Sequence, residues 1–289
     1  MNARPFPLYG WLGIALVAAG QALTLVHWRP LSDYWYSLCW YGVALAADAF
    51  LARRHRSLLT ARPREALLML LVSASAWWAL EWANAGGIGA WSYSPSDDVP
   101  RWLQRLRSTI AFASLLPVTF ELAMVALALG PVARMRLRRG IVVGTTLRAI
   151  SMAAGAAALV AAAIFPSLGL ALILSGIVAL LDPWNGRRGR PSLLGCLERG
   201  DLRLPAALVT SSLAWGLVGE AWNYPADPKW TYHVPYVDFA HVFEMPLLGY
   251  FGYPVFALAV FAVYHAARGL LGAAPASPKA DDPLSLVGL

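Results

Sequence analysis

Charged side chains are scarce in this chain: only 13% of its 289 residues are Asp, Glu, Lys or Arg, and 58% are hydrophobic. An average soluble domain carries about 25% charged residues. A soluble fold of this length could not hide that much apolar surface, so lipid is the expected solvent. Cysteine is nearly absent. Cys39 and Cys196 fall at opposite membrane faces in the topology below, which excludes a disulfide framework. No CxxC pair, P-loop, GxGxxG or Ser-His-Asp arrangement occurs, which removes the commonest redox, nucleotide and hydrolase signatures. Lysine is rare as well: of 23 cationic residues, 21 are arginine, and most sit in short loops between apolar runs. The net charge of +7 therefore points to membrane topology and not to nucleic acid.

Apolar runs of about 20 residues are what a helix needs to cross the hydrocarbon core. Eight are present, at 8–27, 35–52, 66–84, 108–130, 141–165, 167–182, 204–223 and 244–267. The expected fold class is all-α: a polytopic integral membrane protein of eight transmembrane helices. Arginine concentrates at 53–65, 133–140 and 185–203. The positive-inside rule makes these loops cytoplasmic, with both termini inside. Arg101, Arg105 and Arg107 break the pattern, because they precede the fourth run on the outer side. The expected location is the cell inner membrane. Residues 273–289 are rich in Pro, Ala and Ser and read as a disordered cytoplasmic tail.

One pattern occurs twice. EWANAGGIGAWSY (81–93) and EAWNYPADPKWTY (220–232) both have the form E-x-x-N-x6-W-x-Y, 139 residues apart. Each is preceded by a run ending in Asp (Asp48, Asp182), an Arg-rich turn with Ser-Leu-Leu, and a helix ending in the motif glutamate. Each is followed by a Phe-Glu element carrying Glu121 or Glu244. The chain reads as a duplication, with repeats at 1–137 and 138–272. Four crossings per repeat is an even number, so the repeats should run parallel, related by an axis along the membrane normal.

Ionisable groups at membrane depth are costly and usually face a cavity or each other. Glu81, Glu121, Glu220 and Glu244 are therefore candidate proton donors. Asn84, Trp91, Tyr93, Asn223, Trp230, Tyr232 and Tyr250 are candidates for lining a substrate pocket between the halves. Two plainer readings stand beside this. Glutamate and asparagine could clamp helix ends and nearby Trp and Tyr donors, and the aromatics could form an interfacial belt. Asp48, Asp182, Asn185, Arg187 and Arg190 form a candidate cytoplasmic anion or diphosphate site, with trimming of loop charge as the plain alternative. His233, Asp238, His241 and Glu244 lie close in sequence, but the first repeat has no counterpart, so no metal is assigned. No cofactor is expected.

At Asn84, Trp91, Tyr93 and Glu121, and again at Asn223, Trp230, Tyr232 and Glu244, the chain resembles the membrane-embedded lycopene cyclase domain family. The resemblance implies proton-initiated cyclisation of an isoprenoid chain without net redox change. The family's adjacent acid pair is missing here, since Leu122 and Met245 follow the two glutamates. DPWNGRRGRPSLL is similar to the Asp-rich loop of UbiA-type prenyltransferases, without their D-x-x-x-D. The whole pattern, ending in FEMPLLGYFGYPVFA, resembles bacterial polytopic membrane proteins. The leading expectation is a membrane enzyme acting on an isoprenoid or other long lipid. The alternatives are a proton-coupled transporter or lipid-handling protein, and a structural or assembly subunit. Membrane lipids are the expected partners.

Overall fold

The computed structural model describes residues 5–28, 31–94, 99–272 and 287–288. Apart from Val287 and Gly288, the expected tail lies outside the described residues. The elements in chain order are α1 (Leu8–Val26), α2 (Trp35–Ala52), α3 (Leu58–Ala61), α4 (Pro63–Ala83), β1 (Trp91–Tyr93), α5 (Arg101–Ala113), α6 (Leu115–Leu129), α7 (Thr145–Ile164), α8 (Gly169–Arg187), α9 (Leu193–Glu198), α10 (Arg203–Asn223), β2 (Trp230–Tyr232), β3 (His241–Val242), β4 (Met245–Pro246) and α11 (Gly252–Leu270). Seven of the helical segments are long and apolar enough to cross a membrane: Leu8–Val26, Pro63–Ile88, Arg101–Leu129, Thr145–Ile164, Pro166–Arg187, Arg203–Asn223 and Leu247–Leu270. The protein is a helical membrane protein.

Each apolar run contains a helix, and two of the boundary differences bear on the candidate glutamates. The last run was expected to be helical from Glu244. Instead, Met245 and Pro246 form β4, a 3-10 turn follows at Leu247–Phe251, and α11 begins at Gly252. Pro246 has no N–H for a helix interior, and its ring obstructs the preceding turn. The fourth run starts earlier, at Arg101, and is divided at Ser114 into the 13-residue α5 and α6.

The first hairpin, α1 with α2, is closed by small residues. A side chain on Gly42 would stand 2.6 Å from the Gly13 carbonyl oxygen, so the two backbones touch. Tyr9, at the start of α1, donates to Asp48 near the end of α2, so the helices lie antiparallel along their length. The pair α7 and α8 is built alike: a Cβ on Gly155 would meet the Gly176 carbonyl oxygen at 2.7 Å, and Ser151 Oγ donates to Ala179 O. Without a hydrophobic driving force in lipid, such backbone approach is what holds helices together.

Four helices form the centre. α6 packs on α10 and α4 packs on α11, while α2 lies against α6 and α8 against α11. The core between them holds Phe120, Phe261, Tyr264, Met69, Met124 and Leu208. The peripheral helices turn Leu12, Ile14, Ile150, Val160 and Ile164 outward. A surface of that kind is stable against hydrocarbon and unfavourable against water.

Replacing Gly42 by Leu forces α1 and α2 apart. The expected cost is about 1–3 kcal/mol, as for other overpacked contacts, read as a lower melting temperature in detergent. Gly252 has no atom within 4 Å of its would-be Cβ, so Gly252→Ala is expected to leave the melt unchanged. Equal melts for the two variants would refute the close-packed hairpin.

Candidate functional site

The repeated motif is a folded unit, and its spacing follows from its hydrogen bonds. Asn84 and Asn223 each stand at or just past the end of a helix and reach forward to the backbone of a tryptophan. Asn84 Nδ2 donates to Trp91 O at 2.9 Å, and its Oδ1 accepts from Ala90 N at 2.7 Å. Asn223 Nδ2 donates to Trp230 O at 2.8 Å, and its Oδ1 accepts from Trp230 N at 2.9 Å. The asparagine thus replaces a strand partner on one side of each W-x-Y.

One turn earlier, the glutamate collects the motif's side-chain donors. Glu81 Oε1 accepts from Trp91 Nε1 at 3.1 Å, Tyr93 OH at 2.5 Å and Trp77 Nε1 at 2.9 Å. Glu220 Oε1 accepts from Trp230 Nε1 at 3.3 Å and Tyr232 OH at 3.0 Å, and also from Tyr253 OH. The third donor differs for a steric reason. Trp77 precedes Glu81 by four residues, whereas Gly216 precedes Glu220 by four, and the Tyr253 ring lies where a side chain on Gly216 would go, 2.5 Å from its would-be Cβ. Oε2 of Glu220 is buried and has no hydrogen-bond partner among the described residues.

The two units then pair with each other. β1 and β2 form an antiparallel ladder with Trp91 opposite Tyr232, Ser92 opposite Thr231 and Tyr93 opposite Trp230. The central pair bonds through its hydroxyls at 3.1 Å. Each unit also packs on the other half of the chain. Trp230 stacks on Trp35 of α2 with ring centroids 5.7 Å apart, and Phe256 of α11 meets Trp77 edge-on at 5.7 Å. Trp35 Nε1 donates to Pro228 O. Deeper in, Trp40 meets Trp215, and the gap among Trp40, Ser114, Leu115, Val118 and Trp215 has no room for a water molecule. At this point the aromatics fill the junction between halves and do not line a chamber there.

The four glutamates do not share one site, although Glu244 lies in electrostatic reach of Glu220. Glu81 and Glu220 belong to the lock just described. Glu244 lies in the turn between β3 and β4 and pairs with Lys229 Nζ at 2.5 Å. Glu121 lies roughly 30 Å along the helix from Arg101, at 1.5 Å per residue, because α5 intervenes before α6. There it is 2% exposed and has Asp48 and Tyr9 in electrostatic reach. Neither of its carboxyl oxygens meets an N–H or hydroxyl donor among the described residues, and the side chain within hydrogen-bond reach is the Asp48 carboxyl. Tyr250 donates to Val242 O at 2.9 Å and so ties the β3–β4 hairpin to the turn after it. His233 meets Ser92 Oγ at 2.8 Å and His241 meets Asp238 at 2.9 Å, so these histidines have separate partners.

The candidate anion site is likewise spoken for. Asp48 accepts from Ser57 Oγ at 2.7 Å and Leu59 N at 3.0 Å, and Asp182 accepts from Leu193 N at 2.5 Å and Leu194 N at 3.0 Å. Each aspartate receives the free N–H groups that open a short helix, and Ser57 and Ser192 cap the same helices. Asn185 donates to Ala262 O, Arg187 to Thr145 O and Arg190 to Ala266 O, with Arg190 over the Trp184 ring at 4.6 Å. These side chains tie α8 to its neighbours and do not face one anion.

Two features had no mark in the sequence. Glu65, at the start of α4, takes Arg268 Nε at 3.0 Å and the Tyr264 hydroxyl, both from α11, and so pins the halves at the end opposite the lock. The second is a groove of about 670 Å³ between α1, α2 and α5. It is lined by Ala19, Ala22 and Leu23 of α1, Leu38 and Tyr41 of α2, and Ile110 of α5, among others. Tyr41 OH donates to Ile110 O at 2.9 Å and braces its wall. Arg107 Nε donates to Tyr34 OH at 3.0 Å and Arg107 also pairs with Asp33, so one of the anomalous arginines is built into the groove's rim.

No family model, curated protein or solved structure matches the chain.

Replacing Asn223 by Ala removes both bonds to the half-buried Trp230 backbone, at about 1 kcal/mol per hydrogen bond. Glu220→Ala strands three donors and is expected to cost more than Asn223→Ala, in melts of purified protein. Burial, with the Glu220 carboxylate beside it, pushes the Tyr232 hydroxyl far above its ordinary value. A folded value raised above the unfolded one gives stability that is complete below about pH 10 and falls above it. Melts at pH 8 and pH 11 test this: Tyr232→Phe is expected to lose less on the shift to pH 11 than the parent.

Proposed function

We propose that this is a lipid-handling membrane protein that seats a long hydrocarbon chain in the groove between α1, α2 and α5. The observation that carries the reading is the groove's size and lining. About 670 Å³ falls within the roughly 300–1,000 Å³ of small-molecule sites, and the walls are apolar side chains on helices that face lipid.

The accompanying topology has eight crossings. α2 runs antiparallel to α1 over its length, with Tyr9 beside Asp48 at one end, so it crosses if α1 does. The start of α1 and the end of α11 then lie at the end of the bundle where Asp48 and Glu65 stand. The Arg-rich turns at this end make it cytoplasmic by the positive-inside rule, and the inner membrane is the proposed location. The two halves, 1–137 and 138–272, are parallel four-helix repeats. Matching pairs support this: α1–α2 with α7–α8, α2–α6 with α8–α11, and the two motif units paired about Ser92 and Thr231. In this reading the motif glutamates, asparagines and aromatics hold the repeats together on the outer side.

Ala22 is exposed and lines the groove, so Ala22→Phe fills it without entering the packed core. Lipid extracted from purified protein and quantified per chain is expected near one tightly held molecule for the parent and near background for the variant. Equal retention would sink the proposal.

A second reading has one observation behind it: Glu121, buried beside the Asp48 carboxyl with no N–H or hydroxyl donor on either oxygen among the described residues. A carboxyl in that setting is suited to proton donation to an isoprenoid or other lipid. Under this reading, Glu121→Gln changes the lipid profile of an expressing host. Identical profiles from parent, variant and empty vector would remove it.

A further inference from the structure

Away from the groove, two acids meet where α1, α2 and α6 come together. Asp48 is fully buried and already receives three donors: Tyr9 OH and Ser57 Oγ, each at 2.7 Å, on Oδ2, and Leu59 N at 3.0 Å on Oδ1. A carboxylate offers about four lone-pair sites, so one acceptor position is left. The side chain in hydrogen-bond reach of it is Glu121 of α6, 2% exposed, with no N–H or hydroxyl donor on either oxygen among the described residues. The groups in electrostatic reach of Glu121 are Asp48 and Tyr9. The other elements packed on α6 bring ionisable groups with partners of their own. Glu65 of α4 is held by Arg268 and Tyr264 of α11, and Arg203 of α10 by Asp201. His265 of α11 lies against Phe120 with Nε2 on Val287 O. Arg107 of α5 stands roughly 20 Å along the helix from Glu121, at 1.5 Å per residue. Arg134, after α6, is exposed, as are Arg53, Arg54 and His55 on the turn after α2, where Arg56 is half-buried.

The second half of the chain supplies a comparison. Asp182 lies near the end of α8 as Asp48 lies near the end of α2, and it accepts the N–H groups that open α9 as Asp48 accepts from α3. Its charged neighbour is Arg148 of α7, which also pairs with Glu198 at 2.5 Å. The same scaffold meets its aspartate with a cation in one half and with a second acid in the other. An arginine keeps its charge at every working pH, whereas an acid can take that place only by keeping a proton. Two carboxylates sharing a site do not both ionise.

We propose that Asp48 and Glu121 form a binding site for one proton, with Glu121 as the neutral acid whose O–H donates to the Asp48 carboxylate. The three donors already on Asp48 decide which partner is the acceptor. A charge-assisted O–H···O bond is among the stronger hydrogen bonds, and here it joins α6 to the α1–α2 hairpin. The proton is thus a ligand of the fold. The site lies apart from the groove and does not rest on a lipid being bound.

The test uses the full-length protein in neutral detergent, with two readouts. Infrared difference spectra between parent and variant at pH 7.5, in light and heavy water, report the carbonyl stretch of a protonated carboxylic acid. The parent is expected to show one such band that moves in heavy water. Glu121→Gln removes it, Asp48→Asn moves or removes it, and Asp182→Asn leaves it in place. The second readout is melting between pH 6 and pH 8. The folded chain holds a proton that the unfolded chain releases above the ordinary carboxyl range of about 4, so stability falls as pH rises. One proton amounts to at most about tenfold per pH unit in the unfolding equilibrium. Glu121→Gln supplies an N–H donor that does not titrate, and its melt is expected to lose less over the same interval. Helicity and monodispersity of each variant show that it is folded, and Asp48→Asn carries the test if Glu121→Gln does not fold.

Absence of the acid band from the parent overturns the proposal, and so does a band that Asp48→Asn leaves unchanged. Equal pH dependence of the parent and Glu121→Gln melts overturns it as well. Exchanging sodium chloride for choline chloride at equal ionic strength is expected to alter neither readout. A parent without the acid band whose melt rises with sodium assigns the pair to a metal cation in place of the proton.

Discussion

The structure depends on how a carboxylate is accommodated in an apolar setting. A buried acceptor without donors is unfavourable by several kcal/mol, and this protein meets that constraint with aromatic N–H and O–H groups in place of cations. Glu81 and Glu220 each gather a tryptophan and a tyrosine from a W-x-Y strand, and each takes a third donor from its surroundings. Because the strand must be extended to present Trp and Tyr on one side, its other edge is free to pair. It pairs with the same strand of the other half. One local requirement thus ties distant parts of the chain together through a hydrogen-bonded ladder.

The opposite end is held by different chemistry. There Arg268 and Tyr264 of α11 close on Glu65 of α4. Glu65 is satisfied by a cation together with a hydroxyl, whereas Glu81 and Glu220 take neutral donors alone. Between these two ends the centre is filled by Phe120, Phe261, Met69 and Met124. The aromatic residues are therefore partners in a packed junction. The groove lies on the flank instead, where α1 and α2 meet α5.

Much of this was legible in the sequence. The eight apolar runs, the double motif and the Asp-to-Ser-Leu-Leu turns all appear as helices, paired units and capped short helices. Periodicity and spacing report local geometry, and these features are local. What was not legible depends on where helices end and how far they run. Glu121 and Glu244 both follow a phenylalanine and read as equivalents, yet α5 carries the first deep along the bundle while Pro246 holds the second in a hairpin. Tyr253 could not be foreseen as a third donor, because its place depends on Gly216 being empty. The Glu65–Arg268 pair joins residues that no motif links. The groove exists only because α5 returns beside α1 and α2, and nothing in their separate patterns announces that.

The ladder between β1 and β2 has a bearing on biogenesis. During synthesis the first W-x-Y emerges and finds its own glutamate and asparagine, but its free edge has no mate until residue 232 has been made. The helices of the first half must therefore wait with that strand edge unpaired while the rest of the chain is made. Closure is a late, long-range zipper. A fragment containing only the first half would present that open edge to any second fragment, which makes association between two such fragments the natural outcome of truncation.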